Sequence, residues 1–413
     1  MTGFCVLLLK RGILAFALAS CGGGLGPAQL ARAANPLTGK QVFIDCQAAT
    51  EQSAPRFNPW YWFHHYQDSD PQKAALLGKI AKVPVAKWFA GDSIRPLPTK
   101  LEDRFLARVD DPGLGGPNCE TPLGQGEHDE YTGSYPVIAI RAMVHSGCRG
   151  YDGGGAWNDP GPNGLYKPWI DGFVKSLGRT WDGPGRFRYR DSGPYPDSDF
   201  RAIDRQAMVI IEPDALALMG NISGCLTNTA RAHRYALLSY AAQRLGAMPG
   251  VMTYIDAGAS DWLRVGEAVS MLRKAGVKYV RGFALNATHF EYSKSELRFG
   301  NAVAKKLGKY FVVSTAENAN GPLPRRFWKS GSVRSKWCNP KNAGLGTQPT
   351  TNTGSPYADA FLWISRPGIS SNGKNGKSEC GRGPLDNVWW EPRALEEARQ
   401  ASFSQPAWPP RPL

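Results

Sequence analysis

Seven short apolar runs set the limits on what this chain can fold into. They lie at residues 83–89, 136–140, 208–211, 251–255, 280–285, 310–313 and 360–364, and each closes on a polar residue ahead of a loop rich in Gly, Asn or Pro. Between them, over 230–245, 263–275 and 294–307, apolar residues recur at spacings of three and four, the mark of a helix with one buried face. Strands alternating with helices imply a parallel sheet, and strands apolar along their whole length imply burial on both faces. The expected fold is therefore α/β: a distorted (β/α) barrel of about seven parallel strands, TIM-barrel-like, with long loops over the C-terminal strand ends. A chain of 413 residues with 47 Gly and 32 Pro has the length and loop content for one such barrel. The expected boundaries are an export segment at 1–34, a barrel domain at 35–405, and a Pro-rich tail at 406–413, disordered or draped over the surface. Residues 110–130, 181–203 and 337–357 read as inserted loops.

Chemistry in a barrel gathers at the C-terminal strand ends. Here those ends carry Glu212 and Asp214, then Asp256, Asn286 and the 314–318 stretch. A carboxyl at a strand mouth beside apolar walls can serve as a general acid. Asp214 is equally placed to cap the following helix, an ordinary role for Asp.

Composition narrows the partners. The net charge is +14, but the Lys and Arg are scattered without a run of five, which argues against a nucleic-acid partner. GxSxG, P-loop and GxGxxG-to-helix patterns are missing from the chain, and His64-His65 lack the i, i+4 spacing of helical metal ligands, so no cofactor or metal is expected. At the N-terminus Lys10 and Arg11 precede a short apolar run, the pattern of an export signal. Leu18-Ala19-Ser20-Cys21 resembles a lipoprotein box with Cys21 as the anchor; Ala31-Arg32-Ala33 offers a rival cleavage site. The expected location is secreted, periplasmic or anchored at the outer membrane, as a monomer. Six further cysteines, Cys46, Cys119, Cys148, Cys225, Cys338 and Cys380, read as disulfides in an exported chain, with 15 pairings open.

A series of motifs resembles glycoside hydrolase family 6, the inverting cellobiohydrolases and β-1,4-endoglucanases. In order they are Pro84-Val85-Ala86-Lys87-Trp88-Phe89, Val209-Ile210-Ile211-Glu212-Pro213-Asp214-Ala215-Leu216, Tyr254-Ile255-Asp256-Ala257-Gly258 with Trp262, and Gly282-Phe283-Ala284-Leu285-Asn286. Asn318-Ala319-Asn320-Gly321-Pro322, Trp337-Cys338-Asn339-Pro340, Pro349-Thr350-Thr351 and Asp359-Ala360-Phe361-Leu362-Trp363-Ile364 complete the series. The resemblance implies a polysaccharide substrate in a groove or tunnel, Asp214 as proton donor, and Asp256 in the cleft, holding sugar or balancing charge. It makes Trp88, Trp262, Trp337 and Trp363 stacking platforms, although Trp88 and Trp363 fall within strand runs and suit the core equally. Asn286 would bond sugar hydroxyls or serve a turn. Disulfides Cys148–Cys225 and Cys338–Cys380 carry over by position, leaving Cys46 to pair with Cys119.

The departures fall on the chemistry. Where the family has Arg-Asp before its first loop cysteine, this chain has Ser146-Gly147. Arg141 replaces an aromatic and Ala259 a His, and the family's Asp-Thr-Ser-Arg-Asn becomes Ser314-Thr315-Ala316-Glu317-Asn318. The Lys after Trp-Ile becomes Ser365, and the Glu and Asp that follow give way to Ile369-Ser370-Ser371-Asn372. An inverting hydrolase needs a second carboxylate as base. Asp152, His145 and Glu317 are the substitutes by loop position. The expected function is hydrolysis of a β-1,4-glucan or a related, even anionic, polysaccharide; the alternative is a glycan-binding protein that keeps the cleft without turnover.

Overall fold

A computed structural model describes residues 34–45, 59–90, 105–106, 109, 135–143, 166–181, 200–220, 228–324, 337–371, 382–384, 388–406 and 412–413. Seven strands form one parallel sheet: β1 (Lys87–Ala90), β2 (Val137–Arg141), β5 (Ala207–Ile211), β6 (Val251–Asp256), β7 (Gly282–Leu285), β8 (Tyr310–Ser314) and β9 (Ala358–Leu362). They pair in that order, so each new strand joins the edge left by the one before. The two edges of the curled sheet meet where Ala86 N–H donates to Trp363 O at 2.8 Å and Trp88 Nε1–H to Ile364 O at 2.7 Å. This is the expected distorted barrel.

The period of two explains the unbroken apolar runs. Val137, Ala139, Met208, Ile210, Tyr254, Ala284, Val312, Ala360 and Leu362 share one cluster inside the curl. The alternate residues, among them Ile138, Ile140, Val209, Ile211, Ile255, Phe283 and Val313, pack outward against helix side chains such as Phe173, Leu238 and Leu272. Helices α3 (Tyr166–Leu177), α4 (Asn228–Gly246), α5 (Val265–Lys274) and α6 (Ser293–Leu307) supply that outer layer. Strand β7 starts at a glycine for want of room: a Cβ on Gly282 would lie 1.7 Å from the Tyr310 carbonyl oxygen of β8.

Some local structure lies outside the expected pattern. Helices α1 (Pro59–Tyr66), α2 (Pro71–Ala81) and α7 (Glu391–Arg399) contribute to a third apolar cluster that includes Trp60, Leu77, Trp363 and Leu395. The stretch 181–203, read as a plain loop, is closed by a short antiparallel pair, β3 (Arg179–Trp181) and β4 (Phe200–Ala202). The first strand begins four residues later than the apolar run, after Pro84, which has no N–H to give a ladder. Of the expected tail, residues 407–411 lie outside the described residues; Leu413 is buried in the interior cluster, and its N–H and C=O bond Lys40 O and Gly39 N–H at 2.9 and 2.6 Å. Among the described residues, no helix is long and apolar enough to cross a membrane.

A Gly282→Ala substitution should destabilise the barrel by more than about 2 kcal/mol, since backbone must move to admit the methyl. Urea unfolding of the two proteins measures this; an unchanged midpoint would mean β7 and β8 are further apart than described.

Candidate active site

Strands β5, β6 and β7 end side by side, and the turns after them build the site. Three residues there hold left-handed backbone without being glycine: Glu212 (φ 51°), Asp214 (φ 75°) and Asn286 (φ 64°). Such angles each cost about 1–3 kcal/mol and persist only where neighbours enforce them. The enforcement is visible. The Glu212 carboxyl accepts N–H from Ala142 at 2.9 Å and Met143 at 3.0 Å, tying the end of β5 to the end of β2. Asp256 Oδ1 accepts N–H from Asp214 and from Gly258, both at 3.0 Å. Asn286 donates Nδ2–H to Glu291 O and Ser314 O and accepts Glu291 N–H.

Above this layer opens a cleft of about 380 Å³, lined by Trp88, Arg141, Asp214, Trp262, Thr288, His289, Glu317, Trp337, Ser365, Arg366 and Arg393, among others. The Asp214 side chain points into it rather than capping a helix. Thr288 Oγ1–H donates to its Oδ1 at 2.5 Å and Arg141 Nη2–H to its Oδ2 at 3.3 Å. On one wall His289 stacks on Trp262 (4.7 Å, 3°) and on Trp337 (4.8 Å, 25°). Asp261 anchors that wall, with Oδ1 2.8 Å from His289 Nδ1 and Oδ2 3.4 Å from Trp337 Nε1. On the floor Glu317 Oε1 accepts from buried Arg393 at 2.6 Å.

Of the expected site residues, the cleft thus gathers Asp214, Glu317, Trp88, Trp262 and Trp337. Three others are displaced. Asp256 is 1% exposed and lies beneath Asp214, because its carboxyl is used on backbone N–H groups. Asn286 is 1% exposed with its amide consumed by the β7 turn, so none of it reaches a sugar. Trp363 is 1% exposed and gives its Nε1–H to Thr347 O, which makes it core rather than platform. His145 and Asp152 lie outside the described residues, as do all the cysteines expected to pair except Cys338. Among the described residues, no cluster of His, Cys, Asp and Glu could hold a metal ion.

The sequence reading passed over Thr288, His289, Asp261 and Arg393. Thr288 and His289 directly follow Asn286 at a strand end, and that position was the available signal. Arg393, in the first turn of α7, gave none.

These observations fit what the comparisons find. Residues 197–398 match the model of glycosyl hydrolases family 6. An endoglucanase Cel6 structure from Mycobacterium tuberculosis, in complex with a thio-linked cellobioside, superposes with a TM-score of 0.62 at 27% identity, over 89% of this chain and 99% of that one. The chain is thus similar in sequence and in fold to glycoside hydrolase family 6. Endoglucanase A of Cellulomonas fimi is 28% identical over 83% of this chain and 60% of its own length. A probable 1,4-β-D-glucan cellobiohydrolase C of Aspergillus terreus is 26% identical over 84% of the chain and 68% of its own length. The chain spans between 53% and 60% of the first three curated relatives it matches. The family Cel6A core from Chaetomium thermophilum, at 21% identity and a TM-score of 0.60, shares the fold.

The layer under the cleft is dry enough to change its carboxyls. Burial pushes Glu212 from 4.5 to about 7, against the pull of the Ala142 and Met143 N–H groups. Burial likewise takes Glu296, on α6, to about 8, despite its bond from Ser260 N–H. Asp256 rises well above the usual carboxylate range, first through burial and then through the neighbouring charge of Asp214. From 4.5 up to about 7 the folded chain keeps a proton on Glu212 that the unfolded chain releases. The sign follows: stability is full below 4.5 and declines as pH climbs to about 7 for Glu212 and about 8 for Glu296. The slope is at most about 1.4 kcal/mol per pH unit for each group. Urea midpoints should therefore fall between about pH 5 and 8. The double variant Glu212→Gln/Glu296→Gln should flatten that fall, and an equal slope in both proteins would contradict the assignment.

Proposed function

We propose that this chain is an exported glycosidase that cleaves a β-1,4-linked glucan or a closely related polysaccharide, with Asp214 delivering the proton. The observation that carries the reading is the seat of the Asp214 carboxyl. It stands in a cleft at the mouth of a parallel barrel, with its oxygens held by Thr288 and Arg141 and Trp262 and Trp337 also lining the cleft. Indole faces suit the flat apolar faces of pyranose rings, and a sugar chain laid against them brings a glycosidic oxygen to a carboxyl in the same cleft.

The chemistry needs that carboxyl to give up its proton as the bond to the leaving sugar breaks. Charge then develops on the carboxyl, and both neighbours are placed to receive it: the Thr288 hydroxyl donates to one oxygen and the Arg141 guanidinium to the other. The left-handed backbone at Asp214 and the bond from its N–H to Asp256 keep the group in one orientation, so little reorganisation accompanies proton transfer. The relatives, endoglucanases and a probable 1,4-β-D-glucan cellobiohydrolase, agree with a β-1,4-glucan as substrate. The N-terminal Lys10-Arg11 and apolar run support export.

Reducing-sugar release from a soluble β-1,4-glucan tests the reading. Wild type should release sugar, and Asp214→Ala should lose a factor of about 10²–10⁴ in turnover while still binding the glycan. If both proteins bind and neither releases sugar, the cleft is a glycan-binding site. An Asp214→Ala protein as fast as wild type removes the proton-donor assignment.

A further inference from the structure

Cleavage with inversion requires a second group that takes a proton from the attacking water, on the sugar face opposite the donor. Resting on the hydrolytic reading above, we propose that Glu317 is this catalytic base, and that Arg393 is the positioning residue that aims it.

Three observations lead there. First, among the described residues lining the cleft, only Asp214 and Glu317 carry carboxyl groups. They rise from the ends of β5 and β8, which lie three places apart in the sheet order. Three steps of about 4.8 Å separate the two strands, and both carboxyl-bearing residues line the one cleft, which gives room for a sugar and a water between them.

Second, a cation is set against this carboxylate: Glu317 stands in the turn after β8, and Arg393 comes from the start of α7. Arg393 Nη2 lies 2.6 Å from Glu317 Oε1.

Third, a buried carboxyl behind the pair fixes the arrangement. Glu397, one turn along α7, stands 2.8 Å from Arg393 Nε as a charge contact and accepts the Gly368 N–H at 2.7 Å. Burial drives Glu397 well above the usual carboxylate range against the pull of the Arg393 charge, and the nearby charge of Glu317 adds to the rise. Arg393 is thus held from behind by Glu397 while its Nη2 meets Glu317. Arg393 and Glu397 are each 1% exposed, so the aim is set in a dry, packed layer, while Glu317 reaches the cleft.

The step balances. The oxygen of water attacks the anomeric carbon as Glu317 accepts one of the water protons. The bond from that carbon to the leaving oxygen breaks with its electron pair, and the oxygen takes the Asp214 proton. One water is consumed, Glu317 ends protonated and Asp214 ionised, and solvent exchange restores both.

The other proton-accepting side chain in the cleft is His289, held by Asp261, and the test separates the two. Full-length Glu317→Ala, Glu317→Gln, His289→Ala and wild type are assayed on an aryl β-cello-oligosaccharide, with and without sodium azide. Glu317→Ala should lose about 10²–10⁴-fold in kcat, with glycan Kd unchanged within about threefold. Azide, small enough to fill the vacated space and needing no base, should restore turnover and yield the α-configured glycosyl azide. The Gln variant, whose amide keeps the space filled, should stay slow in azide. A structural role for Glu317 would not produce that product. The proposal is overturned if Glu317→Ala retains kcat within about tenfold, if it binds and stays inactive in azide, or if His289→Ala is the variant that azide rescues. Should the Ala variant fail to fold, Glu317→Gln decides by its kcat at unchanged Kd. Wild type that releases no sugar would instead sink the hydrolytic reading itself, whereas active wild type with an active Glu317→Ala sinks only the base.

Discussion

Asp214 is held in a backbone shape that aspartate seldom adopts, and the hydrogen bond from its N–H to the Asp256 carboxyl is what keeps it there. Everything at the cleft depends on that contact. The same Asp256 oxygen takes the Gly258 N–H, so one buried group sets both the turn after β5 and the turn after β6. Gly258 is itself left-handed (φ 73°), and a Cβ there would lie 2.6 Å from Ala217. The turn that presents Trp262 is thus fitted to the turn that presents Asp214.

Burial gives that contact its character. Asp256 Oδ2 has no hydrogen-bond partner among the described residues, a costly state for an ionised oxygen and a much cheaper one for a protonated carboxyl. Its rise above the usual carboxylate range is the same fact seen as chemistry. Around the base of the cleft the protein therefore holds carboxyls raised above their usual range, Asp256, Glu212 and Glu296, that accept backbone N–H groups as hydrogen-bonding struts. Above them it places the cleft-lining Asp214 and Glu317 and the stack of Trp262, His289 and Trp337. Dry struts under a wet cleft let a strained backbone persist without collapsing into the solvent-facing site.

The strands and three of the outer helices were legible because their patterns are local: unbroken apolar runs for strands buried on both faces, and spacings of three and four for α4, α5 and α6. The Asp214 seat was legible for the same reason, as a carboxyl one turn beyond such a run. Asn286 and Trp363 were not, because whether a strand-end residue faces the cleft or the packing beside it depends on its turn geometry. Asn286 turns its amide onto Ser314 O and Glu291, and Trp363 turns inward to Thr347. Arg393 was invisible for a further reason: it reaches Glu317 across 76 positions of chain, and no pattern in its own helix marks that pairing. The docked Leu413 was hidden in the same way, in a Pro-rich tail whose composition reads as unstructured.

The most direct test of the account compares Asp256→Asn with Asp256→Ala. Asparagine keeps an oxygen for the Asp214 and Gly258 N–H groups and carries no charge, like the protonated acid it replaces. Asp256→Asn should keep kcat within about fivefold of wild type, while Asp256→Ala should lose about 100-fold at unchanged glycan Kd. Equal and severe losses in both variants would show that the cleft requires a negative charge at Asp256, and would contradict its role as a neutral strut.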